Sequence, residues 1–234
     1  MDQERSINYG WGEAQASERS FMSQVYFWMA MGLALTGFVA GWMAIHPNVM
    51  IGLMRNSMLF MLLALAQIGI VFWLSAAAAQ MSLMAATAGF SIYATLNGVL
   101  FSTIFLVYTG ASIASTFFIT AGVFGAVSVY GFVTKRDLTS AGSFGFMALI
   151  GLILASIVNW FLKSPALDWL ISYAGIAIFI VLTAYDTQRL KQFHHDGVLA
   201  GGMVQKMALL GALVLYLDFI NLFLMLLRVF GRRK

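Results

Sequence analysis

The chain has 234 residues, of which 61% are hydrophobic and only 9% are charged, and its net charge is +4. Because an ordinary soluble domain carries roughly a quarter charged residues, this composition excludes a water-soluble protein and indicates one embedded in a membrane. The chain lacks cysteine, which excludes disulfides, thiolate metal sites and cysteine nucleophiles. Its basic residues are scattered or terminal, so they predict membrane-flanking positions and no nucleic-acid partner.

The positions of the charged residues divide the chain into membrane spans. Thirty-five uncharged residues separate Arg19 from Arg55, and seventy-nine separate Arg55 from Lys135. Since a helix needs about 20 apolar residues to cross a bilayer, the first stretch holds one span and the second holds three. The predicted spans are one within 20–54 that ends at His46-Pro47-Asn48, followed by 57–77, 83–107, 113–133, 143–162, 169–189 and 207–228. The fold class is therefore an all-α integral membrane protein, a bundle of seven transmembrane helices.

This segmentation predicts the organisation of the whole chain. We expect a polar cytoplasmic N-terminal tail (1–20), a single seven-helix transmembrane domain (21–230) and a basic C-terminal tail (231–234). If the N-terminus is cytoplasmic, seven Lys and Arg residues lie on the cytoplasmic side and six on the opposite side. The positive-inside rule therefore scarcely distinguishes the two orientations of the chain. The internal loops favour a cytoplasmic N-terminus.

Small and polar residues within the spans predict where helices meet. Gly37 and Gly41 have the GxxxG spacing, and Gly98 with Ser102 repeats a small-xxx-small pattern that allows close backbone approach. Three amides are expected to form interhelical hydrogen bonds: Gln67, Asn97 and Asn159.

Two carboxylates in the last two spans carry the chemical signal. Asp186 and Asp218 both lie in apolar sequence, where burying a lone carboxylate costs at least roughly 2.5 to 3.5 kcal/mol on insertion scales. The two helices are consecutive and antiparallel. If the sixth continues to about residue 196, both aspartates lie about ten residues from the turn, so at about 1.5 Å per residue they share one level.

Two carboxylates at one level away from water cannot both ionise cheaply, so we expect them to share a proton. Losing that proton would introduce repulsion, and their oxygens suit a hard ion such as Ca²⁺. This arrangement predicts a gate that responds to pH and a possible calcium site on Asp186 and Asp218. The alternative is that each aspartate only forms hydrogen bonds with a neighbour: Tyr185, Tyr216 or Asn221.

The sequence around the two aspartates resembles the Bax inhibitor-1 family, in particular its bacterial members. The motifs are AYDTQ at 184–188 and LYLDFINLF at 215–223, and the resemblance covers the chain from about Phe21 to Arg233. It implies seven helices with the last enclosed by the other six, and a location in a bacterial inner membrane. It also implies a calcium leak in which the aspartate pair senses pH, with Ca²⁺ as the permeant ion and no tightly bound cofactor.

The chain departs from some family members in its second helix. Some members carry an acidic residue within that helix and a basic residue at its end, whereas this chain has Gln67 and an uncharged stretch at 75–80. A salt-bridge latch from the second helix is therefore not expected. Arg189 and Lys191 could substitute only from the loop that follows the sixth span, and His194, His195 and Asp196 are expected to be a solvated part of that loop.

Three other functions remain to be distinguished from the leak. An intramembrane aspartyl protease also uses two aspartates, but its GxGD motif is missing before Asp218, so we expect no enzyme. The second alternative is a regulatory role, because a bacterial family member is associated with restraint of a membrane-bound protease. Residues 1–19 would then be the docking element. A proton-coupled cation exchanger would use the same aspartates but would show saturable, counter-ion-dependent transport.

Overall fold

The computed structural model describes residues 2–77, 80–195 and 202–234, and nearly all of them are helical. The described elements are α1 (Asp2–Ile45), α2 (Pro47–Arg55), α3 (Ser57–Ala77), α4 (Leu83–Phe101), α5 (Ile104–Val107), α6 (Gly110–Val133), α7 (Thr139–Leu162), α8 (Pro165–His195) and α9 (Gly202–Phe230). The described ranges contain no strand, and Tyr108 and Arg233 form an isolated antiparallel bridge.

Local capping groups explain several of the helix boundaries. Ser82 accepts a hydrogen bond from the backbone N–H of Ala85 at 3.2 Å and so begins α4. Thr109 accepts one from the N–H of Ser112 at 3.3 Å and begins α6. Pro47 is the first residue of α2, a position that proline favours because its missing N–H would have no helical partner there.

The seven predicted spans are confirmed. The segments that are long and apolar enough to cross a bilayer are Ser17–Ile45, Ser57–Ala77, Leu83–Val107, Gly110–Val133, Thr139–Leu162, Pro165–Gln192 and Met203–Phe230. Five of the seven spans extend a few residues beyond the predicted bounds. The backbone of the predicted polar tail continues the first span as a single helix, α1.

Packing groups the chain into two compact units, each made of two separate stretches. Unit 1 consists of Met1–Thr103 and Leu190–Leu213, and unit 2 of Ile104–Arg189 and Val214–Lys234. The last two helices therefore contribute to both units. The predicted division of the sequence into tail, transmembrane domain and basic tail stays a prediction.

In unit 1, α4 packs against α1 and α3. The closest approach is at Gly98, where an added Cβ would lie 2.6 Å from the Cβ of Val39 and 2.7 Å from the carbonyl oxygen of Thr36. The Thr36 hydroxyl also donates to the Ala94 carbonyl at 2.9 Å. The predicted contact through the small residues of α4 is confirmed.

The same prediction is wrong for Gly37 and Gly41. Neither has any atom within 4 Å of the position a Cβ would occupy. The buried face of α1 instead runs through Thr36, Ala40 and Met43, one position away from the glycines. Helical rotation of about 100° per residue turns the GxxxG pair off that face.

The predicted amide bonds have three different outcomes. Asn159 is confirmed as an interhelical partner, since its Nδ2 donates to Oδ1 of Asp168 on α8 at 2.6 Å. The prediction is wrong for Asn97, whose Nδ2 donates to the Tyr93 carbonyl of its own helix at 3.1 Å. On α3, Nε2 of Gln67 is buried and has no hydrogen-bond partner among the described residues.

In unit 2, α8 packs closely against α6 and α9. Gly131 of α6 meets the backbone of Ala184, with an added Cβ 3.0 Å from its Cα. Gly175 of α8 lies against Met225 of α9, whose Sδ would be 2.9 Å from an added Cβ. These glycines let α8 approach helices on two sides, which brings residues near its end next to α9.

The last helix has the largest buried share of any span. In Met203–Phe230, 67% of the most apolar window is buried, compared with 33% or less in the other spans. The enclosure of this helix by the other six, which the family resemblance implies, stays a prediction.

Candidate functional site

The two predicted aspartates face each other in unit 2. Asp186 is half-buried on α8, and Asp218 on α9 is only 5% exposed. Their carboxyl groups line the same cavity and are close enough to interact electrostatically. An ionised carboxylate only accepts hydrogen bonds, so a hydrogen bond between two carboxyl groups requires a proton on one of them. The shared proton stays a prediction.

The second oxygen of Asp218 has no such contact. Its Oδ2 is buried and lacks a hydrogen-bond partner within the described part of the chain. A buried polar atom without a partner costs about 1–3 kcal/mol, and such an atom in a folded protein calls for an explanation.

An open cavity of about 710 Å³ adjoins the pair and is lined by three helices of unit 2. Its walls include Gly142, Ser143 and Phe146 from α7, Tyr185, Asp186 and Arg189 from α8, and Leu217, Asp218 and Asn221 from α9. Most of the other lining side chains are apolar. The two carboxyl groups are therefore the acidic part of a largely apolar cavity.

The predicted supporting residues divide into those at the cavity and those away from it. Tyr185, Arg189 and Asn221 line it, although the Asn221 amide nitrogen donates to the Leu217 carbonyl of its own helix at 2.9 Å. Tyr216 is fully buried, and it is not among the residues that line the cavity. Gln67 belongs to α3 in unit 1, and its supporting role stays a prediction.

Arg189 is the basic group that acts on the pair. It lies on the exposed side of α8, close enough to interact electrostatically with Asp186. Arg189 acts from α8 and not from a following loop, because α8 continues to His195, close to the residue 196 that the matching of the two aspartates assumed. The reason is that the polar residues after 189 keep helical geometry beyond the apolar span, which the hydropathy pattern alone does not reveal.

The polar stretch after Arg189 has a different role from the predicted one. Lys191 is also helical, and its Nζ lies 3.7 Å from Oε1 of Glu18 within unit 1, so Lys191 pairs with α1. His194 and His195 belong to α8 and not to a loop, while Asp196 lies outside the described residues. Among the described residues, no group of three His, Cys, Asp or Glu side chains could hold a metal ion.

Sequence reasoning missed two residues that shape the site. An added Cβ at Gly142 would overlap the ring of Tyr185, so only glycine lets that ring lie against α7. Gln188 accepts a hydrogen bond from the Leu138 N–H at 2.9 Å and donates to the Arg136 carbonyl at 2.8 Å. The available signals were the Gly142–Gly145 spacing on α7 and a polar residue two positions after Asp186.

The donor set defines what the site can do. Two carboxylates supply up to about four oxygens, whereas Ca²⁺ takes about 6–8 oxygen ligands in a stable protein site. The pair therefore fits partial coordination of a hydrated hard cation better than tight retention.

The fold and the site define a class: a multi-pass helical membrane protein with a buried carboxyl pair beside a cavity. Residues 18–234 match the family described as Inhibitor of apoptosis-promoting Bax1. The chain belongs to this Bax inhibitor-1 family, as the motifs around the two aspartates predict.

Relatives from several bacteria match almost the full chain. Inner membrane protein YbhL of Escherichia coli strain K12 is 50% identical over 95% of this chain and 95% of its own length. An uncharacterized protein of Rickettsia prowazekii is 45% identical over 92% of this chain and 91% of its own. One of Borreliella burgdorferi is 42% identical, with 93% and 94% covered.

Proposed function

We propose that this protein is a pH-sensitive calcium leak channel, gated by a proton that Asp186 and Asp218 share. The observation that carries the proposal is the proximity of their carboxyl groups at the wall of a cavity of about 710 Å³. The proposed role is transport, and it assigns no catalytic residue. Calcium is the transported ion and not a resident cofactor.

The gate follows from the charge of the pair. With the shared proton, the pair carries one negative charge and a hydrogen bond joins α8 to α9. Without it, two negative charges face each other in a poorly solvated site, so the carboxylates either separate or bind a cation. Arg189 and Tyr185 are the other charged or titratable groups that line this cavity.

Protons and Ca²⁺ would then compete for the same oxygens. Metal binding to carboxylates releases protons, and the coupling between two ligands is reciprocal. Raising the Ca²⁺ concentration should therefore move the midpoint of the pH response to lower pH. If one proton is displaced, the shift approaches about one pH unit per tenfold increase in Ca²⁺.

The proposal includes a location. The name of the Escherichia coli relative supports an inner-membrane location, and the charges of the internal loops support a cytoplasmic N-terminus.

The test is calcium flux into liposomes that contain the purified chain, measured from about pH 5 to about pH 8. The flux of the native chain should change by up to about tenfold per pH unit. Asp186→Asn and Asp218→Asn should each change the flux and flatten its pH response. Asp137→Asn is the matched control, since Asp137 is an exposed loop residue and asparagine retains its capping oxygen.

The outcomes separate the leak from the other two functions. A pH response that survives in both variants would contradict the gate. Saturable flux that requires a counter-ion gradient would indicate a proton-coupled exchanger. Absence of flux from the native chain would favour the regulatory role toward a membrane-bound protease, for which deletion of residues 1–16 is the next test.

A further inference from the structure

Unit 2 contains a second cavity, at the end where α8 begins and α9 ends. Its volume is about 530 Å³, and its lining includes Arg228, Arg233, Trp169, Tyr108 and Asp168. It is remote from the aspartate pair, because Asp168 and Asp186 are about 27 Å apart along α8 at roughly 1.5 Å per residue. The first cavity contains two carboxyl groups and one arginine, whereas this one contains two arginines and one carboxyl group.

The segment that carries Arg233 is held in place by its backbone. The N–H of Arg232 donates to the Ser112 hydroxyl at 2.9 Å, and its carbonyl accepts from the N–H of Thr109 at 3.1 Å. The N–H of Lys234 donates to the Val107 carbonyl at 2.9 Å. Arg233 therefore extends from a backbone that is fixed on both sides.

Gly231 brings this segment close to Tyr108. A Cβ added at Gly231 would lie 2.6 Å from ring carbons of Tyr108, so a larger residue would push the segment off the ring. Tyr108, which is only 8% exposed, lines the cavity together with the two arginines.

The cavity has more positive than negative charge. Arg228 and Arg233 are exposed, and neither has a carboxylate within 4.0 Å in the described part of the chain. The acidic group present, Asp168, accepts a hydrogen bond from Asn159 at 2.6 Å and so ties α7 to α8. Arg228 also lies in the last turn of α9, where a cation offsets the helix dipole. That structural role accounts for one arginine but not for Arg233, which follows the helix.

The position of the cavity indicates where its ligand comes from. One of the lining helices begins its span at Pro165 and the other ends its span at Phe230, so the cavity opens at the depth of lipid headgroups. Trp169 and Phe230 are 54% and 61% exposed there. Aromatic side chains favour this interface, and arginine matches phosphate oxygens with paired hydrogen bonds.

We propose that this cavity binds the phosphate of an anionic lipid headgroup, with Arg228 and Arg233 as its ligands. The exposed Trp169 and Phe230 would lie beside the glycerol and upper acyl chains. A free phosphate ion offers the same oxygens but would gain nothing from these aromatic side chains. The lipid is therefore the occupant that the whole lining fits.

The test compares lipid retention by the full-length chain in detergent, measured by native mass spectrometry. Phosphatidylglycerol should be retained, while phosphatidylcholine and inorganic phosphate should not. In Arg228→Gln/Arg233→Gln, retention should fall by about tenfold or more for each lost charge-assisted contact. The control is Arg55→Gln/Arg136→Gln, which removes the same charge from exposed positions outside the cavity.

Each other result would overturn the proposal. Equal retention of phosphatidylcholine would exclude recognition of net charge, and competition by inorganic phosphate at similar concentration would indicate a free-ion site. An equal loss in the control variant would indicate non-specific attraction. If the double variant fails to fold, the single variant Arg233→Gln takes its place, because Arg233 lies beyond the end of α9. Retention by this variant should still fall by about tenfold.

Discussion

The charged side chains at the two ends of unit 2 lie in opposite environments. At one end, the buried Asp218 and the half-buried Asp186 lie beside a largely apolar cavity. At the other, Arg228 and Arg233 are exposed around a cavity at headgroup depth. Burying like charges together is costly, whereas exposed arginines at an interface cost little. The difference indicates that the acidic pair needs a bound proton or cation, whereas the arginines need only a partner from outside.

The largest expected effect tests whether Asp186 and Asp218 titrate together by sharing one proton. The double variant Asp186→Asn/Asp218→Asn should flatten the pH response of calcium flux no more than either single change. One shared proton is lost in all three cases, so the effects are not additive. The measurement is a double-mutant cycle on liposome flux.

Asp168, at the other end of unit 2, provides the reference for that double-mutant cycle. Combining Asp186→Asn with Asp168→Asn should give additive effects, since about 27 Å of helix separates the two residues. Additive effects within the pair itself would mean that the two aspartates titrate independently.

The next effect concerns the packing of α7 against α8, the helix that carries Asp186. Gly142→Ala should lower the free energy of unfolding by about 1–3 kcal/mol, because its Cβ would overlap the Tyr185 ring. Gly151→Ala on the same helix has no atom within 4 Å of the new Cβ and should be neutral or stabilising by up to about 1 kcal/mol. Reversible denaturant unfolding in detergent measures both, and equal values would show that Gly142 is not a tight contact.

A smaller effect concerns the basic neighbour of the pair. Arg189→Gln should move the midpoint of the flux response to higher pH, since the arginine charge favours the ionised carboxylates. We expect a shift of roughly half a pH unit, below the 1–3 units of close pairs, because Arg189 is exposed. Arg55→Gln is the charge-matched control. A shift to lower pH would contradict the assigned electrostatics.

The smallest effect extends the comparison to an acid in water. Hydrogen bonds from the Thr139 hydroxyl and backbone N–H hold the pKa of Asp137 below its ordinary value of 3.8. Asp137→Ala should therefore lower the melting temperature at neutral pH. A depressed pKa stabilises the folded state above the unfolded value, and this contribution is lost as pH falls through the folded value. Thermal melts of both chains should converge below about pH 4, and a constant difference at all pH values would contradict the capping role.

The spans were predictable from the sequence because hydropathy and charge are local properties. The break between α3 and α4 and the proline that begins α2 follow directly from residue type. The positions of Gly37 and Gly98 show the limit of this reasoning. Both lie in small-residue spacings, but only Gly98 meets another helix, because the rotation of each helix is set by its neighbours.

The candidate site was predictable only in part, for a similar reason. Apolar surroundings identified Asp186 and Asp218, since a carboxylate in such a stretch needs a partner. The contribution of Gly142 and the link from Gln188 to the 134–138 loop depend on contacts between residues far apart in sequence. The local signals, a glycine spacing on α7 and a polar residue two positions after Asp186, do not show which distant residues they meet.

The sequence by itself determined that this chain crosses a membrane seven times and that two acids lie in its last two spans. Both follow from the cost of transferring each side chain into lipid, which depends on residue identity. The tertiary structure alone decided that the two carboxyl groups meet at a cavity and that Arg228 and Arg233 converge at another. Convergence depends on how helices rotate and pack, and the local sequence does not encode that geometry.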